Sequence, residues 1–222
     1  MSLGAITGKL SGVARWQPDA QARLAEAALA LYDERGFDQT TVEDIAERAG
    51  LTKRTFFRHF ADKREVLFGD GENQQHWVAD AVRDAPSDTP ALDAVACGLD
   101  VLARGLEAQG QVAARRMRIV RASPELWERQ LIKFAALAES LAAALQTRGV
   151  PDPAAVLAAE SGIAALRVAS DGWLRSGART SLRQRVTDAL AELRAVAAGG
   201  TVPKRRRSHR TLRENGDSPE DT

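Results

Sequence analysis

Apolar residues recur at helical spacing along most of the chain, and nowhere do they alternate with the period of a strand. From Asp19 to Arg35 the positions Leu24, Ala28, Leu31 and Tyr32 trace one face, and Gly36 follows as a helix-closing glycine. Val42, Ile45, Ala46 and Ala49 make a second stripe ended by Gly50. Phe56 and Phe60, one turn apart, anchor a third short helix. A fourth helix is predicted from Asp62, where Asp62 and Glu65 stand at capping-box spacing, to about Val82, weakened by Gly69 and Gly71. Beyond the polar loop 84–90, helices are expected over 91–109, 112–121, 125–148, 154–176 and 181–198. The third of these carries Leu126, Phe134, Leu137, Leu141 and Leu145 on one stripe. The fold class is all-α. Residues 1–15 read as a flexible arm, 16–68 as a small helical domain, 69–199 as a larger one, and 200–222 as a charged, disordered tail.

The local signals between Thr40 and Phe60 are denser than elsewhere. Thr40 with Glu43 forms a capping box, and Thr41 with Asp44 offers a second, weaker one. Gly50 supplies a residue that turns the chain with positive φ. Thr52 is a good N-cap for the next helix, and Leu51 with Phe56 stand at hydrophobic-staple positions. With Phe56 and Phe60 turned inward, Lys53, Arg54, Thr55 and Arg58 face outward. Two helices joined by a short Gly-containing turn are the helix-turn-helix arrangement, whose second helix enters the DNA major groove N-terminus first.

Charge sharpens this picture. The formal net charge of the 222 residues is only +1, which argues against nucleic-acid binding through bulk positive charge. Yet Arg48–Arg64 holds six basic residues against Asp62 alone, while Arg15–Phe68 as a whole holds 9 basic and 10 acidic ones. Positive charge is therefore gathered at one edge, as phosphate binding needs.

Gly36-Phe37, Thr40-Thr41-Val42, Ile45-Ala46, Ala49-Gly50-Leu51-Thr52, Thr55 to Phe60, Lys63 and Leu67 together resemble the TetR family of bacterial regulators, over about residues 19–68. RWQPDA and KRTFFRHFADKREVLF are similar to an actinobacterial subgroup like the mycofactocin-associated regulators, which are linked with acyl-CoA ligands. The resemblance implies a three-helix DNA-binding domain followed by a helical ligand-binding and dimerisation domain. It implies a homodimeric repressor on a palindromic double-stranded operator, released by a small-molecule effector. Carried onto this chain, it places Thr40 or Thr41 on a phosphate, Thr52, Lys53, Arg54 and Thr55 at base edges, and His59 and Lys63 on phosphates. Phe57 stands where the family often has tyrosine, so that phosphate contact loses its hydroxyl donor.

Other chemistry is sparse. One cysteine, Cys97, permits no internal disulfide and no thiol zinc site, and a reducing cytoplasm is expected. No apolar stretch is long enough to span a membrane. Glu72 and His76, with Asp70 nearby, have metal-compatible spacing, but solvated surface is the plainer reading, and neither metal nor cofactor is expected. No nucleophile pairs with the scattered histidines His59, His76 and His209, so an enzyme is not expected. Cys97, Met117, Trp127, Phe134, Arg167 and Trp173 are candidates to line a pocket for a largely apolar ligand, with ordinary core packing as the alternative. Glu160, Ser170 and Asp171 are further polar interruptions. Small residues in the eighth helix (Ala158, Ala159, Gly162, Ala165, Ala169) and Leu182, Val186, Ala189, Leu190 and Leu193 in the ninth suggest a dimer seam. Two other readings stay open: a helical ligand-binding or enzymatic protein with a vestigial helix-turn-helix, and an activator or architectural protein using the basic run Lys204 to Arg207.

Overall fold

A computed structural model of the chain describes residues 20–68 and 71–199, with the side chains of 71 and 72 left aside. The terminal arm, the basic tail and the Asp70–Glu72 pairing with His76 lie outside the described residues. Ten helices follow in order, with no strand among the described residues: α1 (Ala20–Arg35), α2 (Val42–Arg48), α3 (Lys53–His59), α4 (Glu65–Phe68), α5 (Gly71–Arg83), α6 (Ala91–Gln109), α7 (Gln111–Ala122), α8 (Pro124–Thr147), α9 (Asp152–Arg175) and α10 (Leu182–Ala197). The fourth predicted helix is described on either side of residues 69–70, as α4 and α5. Asp62 Oδ1 accepts from the backbone of Arg64 and Glu65 and starts α4, but Glu65 pairs with Arg129 instead of closing a box.

Two apolar cores result. The larger one is built by α5, α6, α8, α9 and α10 around Trp173, Leu141, Leu145 and Leu99, all essentially inaccessible. Close approach of these helices depends on glycine. A methyl group on Gly162 of α9 would run into Val95 of α6, and one on Gly98 would sit 2.8 Å from the Val78 carbonyl oxygen of α5. Gly162, with Ala159, Ala165 and Ala169, is therefore spent inside the chain, as are Leu182, Val186 and Leu190. These residues do not form an outward seam. What α9 exposes is a different stripe: Val156, Leu157, Ala164 and Val168.

The smaller core gathers Leu24, Ile45, Phe56, Phe60, Val66 and Leu67 from the first four helices and their turns. It is closed by Ile119 and Val120 of α7 and Leu126 of α8. Ion pairs cross the same junction, from Arg115 to Glu26 and Asp33, from Arg64 to Glu125, and from Arg129 to Glu65.

Candidate DNA-reading surface and effector cavity

The α2–α3 unit is held by local chemistry the sequence announces. Thr41, not Thr40, caps α2: its side chain accepts from the Asp44 amide at 3.2 Å while its own N–H and hydroxyl donate to the Asp44 carboxylate. These bonds hold the Asp44 carboxyl below the usual carboxylate range. Thr40 is fully buried and donates to the Gly36 carbonyl at 2.8 Å, so it is not available to a phosphate. The sequence favours Thr40 with Glu43, but the α1–α2 turn draws Thr40 inward to the Gly36 carbonyl and leaves the cap to Thr41 with Asp44. After α2 the Ala49 cap and Gly50 at φ 63° reverse the chain, with the Leu51 N–H donating to the Ala46 carbonyl at 2.8 Å. Thr52 then caps α3 by accepting from the Thr55 amide.

Phe56 is wholly buried against Phe60 and fixes which face of α3 looks outward. That face presents Thr52, Lys53, Arg54, Phe57 and Arg58, with Thr55 half-buried. Arg54 and Arg58 make no ion pair or hydrogen bond with any described residue, so their guanidinium groups stand free at the surface. Lys53 is paired with Glu43 of α2 and lies 5.9 Å from the Phe57 ring centre. The lysine holds the Glu43 carboxyl below its ordinary range. Phe57 is half exposed beside it, at the rim of the surface. His59 is partly buried, and its Nε2 has no hydrogen-bond partner among the described residues.

The charge surplus counted along the sequence is smaller in space. Arg48 is bound bidentately to Glu34, and Arg64 to Asp62 and Glu125. Lys63 departs further from expectation. Its ammonium donates to the carbonyls of Phe37 and Thr40, both at 2.9 Å, and rests 4.2 Å from the Phe37 ring centre. It ties the α1–α2 turn down instead of projecting outward. Its own carbonyl accepts from the Tyr32 hydroxyl at 2.6 Å, and burial, followed by the nearby Asp62 charge, pushes that phenol well above its ordinary range. Glu34, Glu43 and Glu125, which pair with Arg48, Lys53 and Arg64, lie outside the Arg48–Arg64 window, where a running count cannot see them.

A cavity of about 420 Å³ opens between α4, α5, α6, α7, α8 and α9. Met117, Trp127, Phe134 and Arg167 line it, as read from the sequence; Cys97 and Trp173 do not. Cys97 lies exposed on α6, and Trp173 is core, its indole donating to the Thr180 carbonyl at 3.0 Å. Ser170 reaches the wall, whereas Glu160 is exposed and Asp171 pairs with Arg121. Sequence reasoning missed Leu67 and Phe68 of α4, Trp77 of α5 and Arg116 of α7. No linear signal groups them, because the cavity draws on six separate helices. The described residues contain no cluster of ligating side chains suited to a metal and no helix long and apolar enough to cross a membrane.

Residues 24–68 match the family described as bacterial regulatory proteins, tetR family. Among curated proteins, the chain is 26% identical over 132 residues, 60% of its length, to the putative mycofactocin biosynthesis transcriptional regulator MftR of Mycobacterium tuberculosis, covering 67% of that protein. It is 52% identical over 44 residues to the HTH-type transcriptional regulator TcmR of Streptomyces glaucescens, a match that spans 20% of either chain. Its fold is like that of a SmeT–triclosan complex (TM-score 0.59, 21% identity, covering 80% of this chain and 90% of that one). It is also like Thermus thermophilus FadR in complex with lauroyl-CoA (TM-score 0.51, 20% identity, covering 90% of this chain and all of that one).

Proposed function

We propose that this chain, a member of the TetR family, is a dimeric repressor that reads an inverted-repeat operator and leaves it when a small molecule fills the cavity. The observation that carries the reading is the outward face of α3: a Thr52-capped first turn with two unpaired arginines, Arg54 and Arg58, set on a buried Phe56–Phe60 base. Arginine at the start of such a helix suits bidentate donation to guanine O6 and N7. Thr41, Thr52 and Thr55 are suited to phosphates or base edges beside it, whereas the unpartnered Nε2 of His59 is buried. Regulators of this family point away from an enzyme.

The effector reading rests on wall residues shared between the cavity and the smaller core. Leu67 is buried in that core and also lines the cavity, and Phe68 packs against the same core from α4. A ligand that favours a different seat for α4 therefore repositions the α2–α3 unit, and operator affinity falls by linkage. SmeT in complex with triclosan and Thermus FadR in complex with lauroyl-CoA support a small-molecule effector for this chain as well. For the dimer, the exposed stripe Leu157, Ala164 and Val168 on α9 is the face to pair with its symmetry mate, setting two α3 helices about one DNA turn apart, roughly 34 Å.

Selection of the purified chain on random duplexes tests the whole reading. An inverted repeat should emerge, and binding to it should fall steeply with salt while retaining preference over random DNA. A pool that converges on no motif overturns the reading and leaves the helix-turn-helix without a reader's role.

A further inference from the structure

The cavity wall is not merely apolar. Its ionisable side chains are Arg116, Arg121, Lys133 and Arg167, and no Asp or Glu is among its lining residues. Of these, Arg121 is already matched by Asp171, on the flank of the Trp127 ring. Arg167 lies 6.0 Å from the same ring centre and has no carboxylate partner among the described residues. Arg116 is the more telling group. It is partly buried, its guanidinium donates to the neutral Gln109 Oε1 at 2.8 Å, and its shielded Nε has no acceptor among the described residues. A guanidinium stays charged in a protein, so burying one without a counter-charge is costly. Burial indeed pushes the Arg116 guanidinium below its ordinary value.

A guanidinium in this condition on the wall of an open cavity is suited to an acceptor of negative charge. The same wall carries apolar side chains, among them Met117, Trp127, Phe134 and Leu137. We infer that the effector is a compact amphipathic anion, an apolar body carrying one carboxylate or phosphate group that Arg116 receives inside the cavity, with Arg167 as a second cationic contact. The inference rests on the cavity being the effector site, and it narrows that site to a charge class. It also separates a free acid from its coenzyme A thioester. The thioester has no anion at the carbonyl end of its chain, and a cavity of this size leaves most of the nucleotide outside, away from Arg116.

Direct binding to the full chain without DNA isolates this claim from operator reading. Tryptophan fluorescence, with Trp77 and Trp127 on the wall, follows titration with decanoate, decyl phosphate, 1-decanol and decanoyl-CoA. The expected result is that an anion binds at least about tenfold more tightly than decanol. Arg116→Met should remove about tenfold from the anion affinity and nothing from decanol. Arg167→Gln, on an exposed side chain, should lose severalfold on the anion alone and keeps the test standing if Arg116→Met does not fold. Relative affinities of decanoate and decyl phosphate tell which head group is preferred. Equal binding of decanol and decanoate, a preference unchanged in both variants, tighter binding of decanoyl-CoA that ignores Arg116, or no binding of any probe each overturns the inference. The first three outcomes leave the regulator reading intact with another effector.

Discussion

Arg54 and Lys63, both basic and only nine positions apart, have opposite structural circumstances. Arg54 is exposed and free, so Arg54→Ala should leave the melting temperature near wild type while costing ~1–3 kcal/mol on the operator, with preference relaxed at one base pair. Lys63 holds two turn carbonyls and a ring face, so Lys63→Ala should lower stability by at least about 1.5–3 kcal/mol, the worth of one hydrogen bond to a charged group. Its DNA affinity should change only as far as the domain loosens. Equal melting curves for the two variants would contradict this division. Asp62 adds a pH dependence. Burial alone would raise its carboxyl, but hydrogen bonds and charge from Arg64 outweigh that and lower it below the ordinary 3.8. A carboxyl depressed on folding contributes stability that is complete above its unfolded value and is lost as pH falls through the folded one. Asp62→Asn should therefore flatten the loss of stability below about pH 4, measured by urea unfolding at a series of pH values, while wild type keeps the slope.

At the scale of the helix, two glycines of α6 make a matched pair. Gly98→Ala drives a methyl group against the Val78 backbone and the Val82 side chain and should cost ~1–3 kcal/mol. Gly105→Ala meets only the end of Gln74 at 3.9 Å and should stabilise by ~0.5–1 kcal/mol through helix propensity. Denaturant midpoints of the two variants should move in opposite directions; a shift of the same sign would place the α5–α6 contact wrongly. The same distinction shows what was legible in the sequence. The helices from α6 to α10 are nearly where their periodicity and breakers put them, because Pro, Gly and Ser act locally. Gly36, Gly50 and Thr52 close and open helices as read. Which threonine caps α2, and which arginines keep a carboxylate, depends on residues brought from other helices. The cavity shows the limit most clearly. Trp127 and Trp173 are alike in sequence, yet one lines the cavity and the other fills the core.

For the whole molecule, the second core matters most, because it does not respect the boundary suggested at Phe68. Ile119, Val120 and Leu126 complete it from the far side, and three sets of ion pairs cross the same junction. A fragment ending at Phe68 would expose the apolar face that these residues cover. Such a fragment should unfold without a cooperative transition, whereas residues 16–199 should melt as one unit by circular dichroism and by tryptophan fluorescence alike. Coincident, sharp melting of the short fragment would show the DNA-reading helices to be self-sufficient and would remove the structural basis for coupling through α4.

The ion pair between Lys53 and Glu43 has a consequence for how such a protein finds its target on a chromosome. A lysine already satisfied by a neighbouring carboxylate gives little welcome to an arbitrary phosphate, so dwell times on unrelated sequence shorten and excursions through solution become more frequent. Glu43→Gln would release that lysine. It should lengthen residence on random DNA several-fold in single-molecule tracking, slow the search, and narrow the margin between operator and bulk genome even as every measured affinity improves. Unchanged residence on random DNA would mean that Lys53 exchanges Glu43 for phosphate without cost. On this reading the acidic residue beside α3 would restrain stickiness, and the speed of the search would depend on a contact that never touches DNA.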